Sequence, residues 1–373
     1  MVKVLQHTKT FRTVHGGMER VVEELVPILN GFPDLDVDVL CQGPERCEYA
    51  LAPRGMVFQA RRDFAVSTAG LSWQDLRTWQ RIAPRYDVVH VHAPWPQSDF
   101  NLLLSRYDGA VVVHWHRDIV RQRLLYSLYR GLEHWLLRRA DRICVTSPKL
   151  LAESAALEGF RNKAVAIPIG IGEAVHAIGD GEVRELRARH AGRPLVFALG
   201  RLVPYKGFEY LVRSCTALAP KGLVLIAGAG PLRRELDSLI RELGVQDKVR
   251  LLGEITDHEV ELHMRACDVF CLPSVEKSEA FGIVQLEAMR AGRPVVSTRL
   301  HGSGIDWVNQ HGVSGLTAEP GRPDALGQAL NRLLENPEIA RTLGANARRR
   351  YEELFTARKM ADQVRAMYLS LRL

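Results

Sequence analysis

The chain has 373 residues, enough for two domains of ordinary size with well-buried cores. A quarter of the residues are charged and 46% are apolar, a balance that excludes a disordered or fibrous chain. No run of eighteen apolar residues offers a membrane span, and the net charge of +7 points to an anionic partner. Nucleic acid is not expected, because no nucleic-acid-binding motif or basic tail accompanies the charge; a nucleotide substrate and an anionic membrane surface remain. Six cysteines (Cys41, Cys47, Cys144, Cys215, Cys267 and Cys271) form no C-x-x-C pair and read as reduced core thiols rather than disulfides or zinc ligands.

Strands alternate with helices from end to end, which predicts parallel sheets built from βαβ units. Met1-Val2-Lys3-Val4-Leu5 reads as a buried strand rather than a secretory leader, so the cytoplasm is the expected location. His7 to Gly17 is a loop closing in Gly16-Gly17, and Met18 to Leu29 is a helix. Strands follow near 36–40, 56–59, 87–91, 110–114, 142–145 and 164–167, with helices near 72–82, 97–106, 119–139 and 147–158. Pro168-Ile169-Gly170-Ile171-Gly172 is a glycine-rich joint, followed by a polar helix near 180–190. A second α/β half has strands near 195–199, 223–227, 248–252, 268–272, 294–297 and 315–318. Its helices fall near 207–218, 231–243, 257–266, 281–291, 323–335 and 337–351, and a last helix, 356–371, has no strand after it. The expected domains are 1–172 with 356–373, and 173–355, doubly wound and facing a central cleft.

The stretch Ser274 to Met289 is the most informative. An apolar strand stops at Pro273-Ser274, and a charged loop leads to a helix expected to begin at Phe281-Gly282-Ile283 and to end at a Gly292 cap. Open α/β sheets place anionic ligands at such strand ends. Glu279 and Glu287 bracket the loop; on a helical rise of about 1.5 Å per residue they would stand roughly 12 Å apart, which suits gripping two ends of a long ligand better than joint acid/base work. Gly200-Arg201-Leu202-Val203-Pro204-Tyr205-Lys206-Gly207 puts two cations on another strand-to-helix loop, fit for a pyrophosphate leaving group. Gly228-Ala229-Gly230-Pro231 resembles a dinucleotide fingerprint, but Arg233 stands where the third glycine belongs.

Other patterns read more than one way. Gly16-Gly17 could expose backbone to a ligand or be a bare turn. Asp36-Val37-Asp38 spells a metal-binding D-x-D, yet it lies on an alternating strand and reads as strand patterning. His90-Val91-His92 and His114-Trp115-His116 fall at the ends of two strands, expected at the cleft edge; substrate contact through His116 is favoured over a metal cluster, with packing an alternative for His90 and His92. Residues 117–142 combine Arg117, Arg121, Arg123, Arg130, Arg138 and Arg139 with Tyr126, Tyr129 and Trp135, a composition fit either for anionic lipid or for a surface helix with inward-packed aromatics.

Nearly the whole chain resembles the retaining glycosyltransferases of GT-B family 4. The resemblance rests on Gly16-Gly17-Met18-Glu19, His116, Ser147-Pro148, the G-R-L-x-x-x-K-G loop, the G-x-G-P turn and, above all, Glu279 to Glu287, which matches an E-x7-E motif. It implies an α/β GT-B fold with the last helix crossing back to the first domain. It further implies an acceptor-binding first domain and a donor-binding second one. Arg201 and Lys206 would hold the donor diphosphate, and Glu287 the ribose. Glu279 with the backbone of Phe281, Gly282 and Ile283 would hold the hexose. The Gly253-Glu254-Ile255 loop would take the base, Gly16 and Gly17 would approach the phosphates, and His116 would lie by the donor sugar. Glu279, His116, Arg201 and Lys206 are thus the expected catalytic groups, with front-face departure of the leaving phosphate and neither metal nor cofactor.

Residues 301–312, with Gly302-Ser303-Gly304 and Trp307-Val308-Asn309-Gln310, look like a stretch of bacterial O-antigen mannosyl- and rhamnosyltransferases. That implies a GDP-sugar donor, a lipid-linked or lipopolysaccharide glycan acceptor, and a peripheral place on the inner face of the cytoplasmic membrane. A UDP-sugar donor, a sugar-nucleotide 2-epimerase and an inactive nucleotide-sugar-binding protein are the alternatives.

Overall fold

Runs of valine, isoleucine and leucine with little alternation demand burial on both faces of a sheet, and parallel sheets flanked by helices supply it. The structure, a computed structural model, describes residues 1–12, 17–66, 69–119, 123–219 and 221–371. It divides into two units, Met1–Gly172 with Thr356–Leu373, and Glu173–Phe355.

The first unit runs β1 (Val2–His7), α1 (Gly17–Leu29), β2 (Leu35–Gly43), β3 (Cys47–Ala50), β4 (Met56–Arg61), β5 (Phe64–Val66), β6 (Ala69–Leu71), α2 (Trp73–Ile82), β7 (Val88–Ala93), α3 (Pro96–Leu103), β8 (Ala110–Trp115), α4 (Arg123–Arg139), β9 (Arg142–Val145), α5 (Pro148–Glu153) and β10 (Ala164–Ala166). Its eight-stranded sheet has the order β10-β9-β8-β7-β1-β2-β4-β3 and is parallel except for β3, which pairs antiparallel with β4. The order reverses at β1, whose neighbours are β2 and β7. Val89, Val91, Val111, Val113 and Trp115 join one core cluster with Leu136 and Leu137 of α4. Alternate positions on β7 and β8 carry histidines instead.

The second unit runs α6 (Asp180–Arg189), β11 (Leu195–Leu199), α7 (Phe208–Ser214), β12 (Leu223–Ala227), α8 (Arg233–Glu242), β13 (Val249–Gly253), α9 (Asp257–Ala266), β14 (Val269–Leu272), α10 (Val284–Arg290), β15 (Val295–Thr298), α11 (Ile305–Val308), β16 (Gly315–Ala318), α12 (Pro323–Leu334) and α13 (Pro337–Leu354). Its six strands, ordered β13-β12-β11-β14-β15-β16, are all parallel. The order reverses at β11, between β12 and β14, a switch point at whose carboxyl edge open α/β sheets place their ligand crevice. The last helix, α14 (Ala357–Leu369), returns to the first unit and packs on α1.

Several boundaries correct the sequence reading. The antiparallel β3 and the β5–β6 hairpin had no strong alternation to announce them. The helices expected at 97–106 and 147–158 stop at Leu103 and Glu153. The helix expected from Phe281 begins at Val284, because Gly282 takes φ +70° and breaks the turn before it. The 12 Å estimate between Glu279 and Glu287 assumed helix throughout, and therefore loses its basis.

Candidate active site

In the second unit the strand-end loops are laced together by backbone hydrogen bonds. Gly200 N donates to Ala227 O (3.1 Å), Leu202 N to Ala229 O (2.8 Å) and Gly228 N to Gly253 O (2.7 Å), tying the loops after β11, β12 and β13 into one surface. Val275 N donates to Tyr205 O (2.8 Å), which joins the loop after β14 to the cation loop after β11. Gly207 makes that join possible. It sits at φ +68°, and a Cβ there would stand 2.1 Å from Pro273 O. Only glycine fits the conformation and the contact together.

This join brings together two sequence motifs read separately. Lys206 Nζ pairs with Glu279 Oε2, each side chain 13% exposed. Ser274 Oγ donates to the same carboxylate (3.2 Å), and Ser303 Oγ donates to Glu279 O (2.6 Å). Gln285 Nε2 donates to Phe281 O (2.8 Å), fixing the turn through Gly282 and Ile283. Glu287 is buried in α10, 7% exposed. Arg201 is exposed, and its side chain makes no hydrogen bond or ion pair among the described residues. Gly253 ends β13 at φ +80°, with Ile255 half-buried beyond it. The strand ends thus offer one exposed cation and one cation held by a carboxylate, a setting for an anion.

The first unit carries a column of histidines. His90 and His92 on β7 and His114 on β8 are fully buried, and His116, just past β8, is 7% exposed. The rings stack, with centroids 4.3–5.5 Å apart and planes 7–24° from parallel. A hydrogen-bonded chain runs through them. His116 Nε2 meets His92 Nδ1 (2.8 Å), His92 Nε2 meets Gln6 Oε1 (2.9 Å), and Gln6 Nε2 donates to Tyr368 Oη (2.8 Å), which lies 2.5 Å from His90 Nδ1. Burial holds all four imidazoles below their ordinary range, His114 at about 3. They are therefore neutral at pH 7.

The packing alternative accounts for His90 and His92, and the expected position of these two at an open edge is corrected. Strand register places them behind His116; Tyr368 of α14 meets His90, and His92 lies between His116 and Gln6. Ring nitrogens of His90, His92 and His114 lie within 4.8 Å of one another, but near-parallel planes aim their lone pairs side by side rather than at one point. The arrangement suits a stacked column, not a tetrahedral ion.

Gly17 opens α1 and is exposed; Gly16 lies outside the described residues. Asp36 and Asp38 follow strand patterning, as expected: Asp38 accepts from Met56 N (2.6 Å) and from Tyr86 Oη. On α4 the described aromatics turn inward. Tyr126 Oη donates to Glu133 (2.8 Å), Tyr129 Oη donates to buried Asp99, and Trp135 packs on the core. Burial pushes the Asp99 carboxyl up to about 7. Arg121 lies outside the described residues.

The family model for glycosyl transferases group 1 matches residues 182–350, and that for a glycosyl transferase 4-like domain matches 16–170. D-rhamnosyltransferase WbpZ of Pseudomonas aeruginosa is 33% identical over 360 residues, covering 95% of this chain and 93% of its own. The chain belongs to the group 1 glycosyltransferases. O-antigen chain mannosyltransferase C of Escherichia coli is 31% identical over 373 residues, 99% of each chain. Among solved structures, HepE of Anabaena in complex with UDP matches this glycosyltransferase with a TM-score of 0.81, at 19% identity over 100% of both chains. Sucrose-phosphate synthase of Thermosynechococcus elongatus gives 0.80 at 22%, over 99% of this chain and 98% of its own. Those likenesses establish the GT-B fold.

Sequence reasoning about the glycosyltransferase missed the residues that hold its functional groups in place. Ser274 and Ser303 shape Glu279, and both lay in segments already singled out. Gln6 shares its strand with Lys3 and His7, so nothing local singled it out. Tyr368 had no local signal, being 362 residues from its partner Gln6. In residues 301–312, Asn309 is buried and donates to Val295 O (3.0 Å), Ser297 Oγ (2.9 Å) and Leu316 O (3.0 Å), while Trp307 packs edge-on against Phe355. Asn309 thus braces β15 and β16 rather than facing a ligand, and Trp307 packs at the end of α13.

No helix among the described residues is long and apolar enough to cross a membrane.

Proposed function

We propose that the enzyme moves a hexose of the mannose or rhamnose type from a GDP-sugar to a lipid-linked or lipopolysaccharide glycan, with retention of configuration and without a metal or other cofactor. The second unit would take the donor and the first the acceptor, at the inner face of the cytoplasmic membrane. The names of the two full-length relatives support the type of hexose and an O-antigen glycan as acceptor. The observation that carries the chemistry is the Lys206–Glu279 pair at adjoining strand ends, beside exposed Arg201.

A diphosphate entering the crevice meets Arg201 first and then competes with Glu279 for Lys206. As the glycosidic bond breaks, charge grows on the leaving phosphate, and both cations stabilise it more strongly than in the ground state. Glu279, released from Lys206, is free to accept hydrogen bonds from the hexose hydroxyls, with the backbone of Phe281, Gly282 and Ile283 alongside. Glu287 would hold the ribose, the Gly253–Ile255 loop the base, and Gly16 and Gly17 the phosphates from the first unit. His116, neutral through burial, acts as a hydrogen-bonding contact to the sugar rather than as a proton donor. Front-face departure assisted by the leaving phosphate completes the proposal.

A UDP-sugar donor is the second reading, favoured by the UDP in HepE. The test is to incubate the enzyme with GDP-mannose, GDP-rhamnose, UDP-glucose and UDP-N-acetylglucosamine, with and without EDTA. Slow hydrolysis of one GDP-sugar, indifferent to EDTA, is expected. Hydrolysis that collapses with EDTA, or an isomerised donor, overturns the proposal.

A further inference from the structure

The first unit has a concavity that the donor chemistry does not use. A cavity of about 640 Å³ lies between α2 and the β3–β4 edge of the sheet, lined by Arg46, Arg61, Asp63, Trp73, Arg77 and Arg81 among others. Trp73, Arg77 and Arg81 recur every four residues on α2, a stripe roughly 12 Å long at about 1.5 Å per residue. The Trp73 side chain is 67% exposed, an unusual outlay for so large an aromatic surface. Arg81 donates to Glu48 (2.8 Å), Arg46 lies 3.9 Å from the same carboxylate, and Arg61 lies 3.8 Å from Asp63. Arg77 makes no ion pair among the described residues. Four guanidiniums against two carboxylates leave a local surplus of positive charge.

Position gives the groove a direction. Arg61 is the last residue of β4, and Trp73 opens α2, so Trp73 stands toward the carboxyl edge of the sheet, the edge that also bears His116. From β8 to β4 there are four strand steps, β8-β7-β1-β2-β4, or roughly 19 Å at about 4.8 Å per step. A ligand reaching from one to the other is extended: an oligosaccharide, not a single sugar.

We propose that this groove binds the phosphate-bearing end of the acceptor glycan. Trp73 offers a flat apolar face to a sugar ring, and Arg77, with Arg46, Arg61 and Arg81 around it, offers guanidinium forks to the phosphoryl oxygens. This rests on the reading that the first unit takes the acceptor. The chemistry favours a discrete group over a membrane surface: the site is concave, and Glu48 and Asp63 would face anionic lipid at close range.

The test uses the full-length enzyme with its donor site saturated by GDP, titrated with mannose 1-phosphate and, in parallel, with methyl mannoside, by calorimetry and tryptophan fluorescence. Mannose 1-phosphate should bind and methyl mannoside should not. Arg77→Ala should weaken binding about tenfold, as expected for a lost charged hydrogen bond. Trp73→Ala should weaken it severalfold and abolish the fluorescence response. Both variants should hydrolyse the donor at the wild-type rate. Equal binding in wild type and variants, or none in either, overturns the groove. So does binding confined to phosphatidylglycerol vesicles and lost in both variants, which would make this a membrane face. Absence of donor hydrolysis in the wild type sinks the transferase proposal instead, so the two failures are distinguishable.

Discussion

Replacing Gly207 with alanine should disable donor chemistry without removing a charged group. The residue sits in the left-handed region at φ +68°, where a Cβ costs about 1–2 kcal/mol. That Cβ would stand 2.1 Å from Pro273 O and 3.0 Å from Val275 Cγ1. Relieving the first contact to the 3.0 Å floor for real Cβ atoms means a shift of 3.0 − 2.1, or 0.9 Å, between the cation loop and the end of β14. The Val275 N–Tyr205 O bond and the Lys206–Glu279 pair both bridge that seam. A lost hydrogen bond adds about 1 kcal/mol, for a total near 2–3 kcal/mol of stability. Misplacing reacting groups by about 1 Å can cost on the order of a hundredfold in rate. Gly192→Ala is the control: φ is +63°, yet nothing lies within 4 Å of its Cβ, so it suffers the backbone strain alone. Thermal melting and donor hydrolysis at saturating donor should show both variants destabilised and only Gly207→Ala slowed. A Gly207→Ala enzyme that melts like Gly192→Ala and turns over like the wild type would refute the seam argument.

The histidine column predicts acid sensitivity. Burial depresses the folded-state values of His90, His92, His114 and His116, whereas in the unfolded chain each titrates near 6.5. Below that pH the unfolded state binds protons the folded state refuses, so stability falls with pH, by about 1.4 kcal/mol at pH 5.5 for each histidine that stays neutral. Melting temperature should therefore drop between pH 7 and 5, less steeply in His92→Phe; a flat profile would contradict the assignment. Asn309→Leu, which removes three hydrogen bonds its amide donates and one it accepts from Ser314, should cost about 2–4 kcal/mol in urea unfolding while leaving donor preference unchanged. An unaltered unfolding midpoint would count against its bracing role. Glu279→Gln frees Lys206 from its carboxylate, so GDP should bind severalfold tighter by calorimetry while sugar transfer slows; weaker GDP binding would mean that Glu279 does not compete with the diphosphate.

The legible parts of this chain are those whose cause is local. Uniform apolar runs bounded by glycine and proline give the order of strands and helices, because burial on both faces of a parallel sheet leaves no other composition. The Ser147-Pro148 helix start and the Thr256–Glu259 capping box are each complete within four residues. What stayed hidden depends on neighbours distant in sequence. Strand β3 is held by β4 rather than by any alternation of its own. His90 looked like an edge residue because nothing nearby reveals that Tyr368 of the last helix meets it. Phe281-Gly282-Ile283 looked helical because the pattern fits; Gly282 breaks it by adopting φ +70° with its backbone against Leu272 and Gln285.

The same distinction alters what the two glutamates of the E-x7-E stretch do. Read along one helix, Glu279 and Glu287 are a matched pair differing only in position. In the fold they differ in kind. Glu287 is buried in α10. Glu279 sits on a turn set by Ser274 and Ser303, paired to a lysine 73 positions earlier (279 − 206), across a seam that only Gly207 permits. A carboxylate held this way masks a cation until a better anion arrives. Under the proposed function, binding the diphosphate and freeing Glu279 would be one event, so the group that would grip the hexose would be released only with the leaving group in place. The cation loop and the E-x7-E stretch, separate in sequence, are joined in the fold by the Tyr205–Val275 backbone bond and the Lys206–Glu279 pair, and on that proposal they would act together.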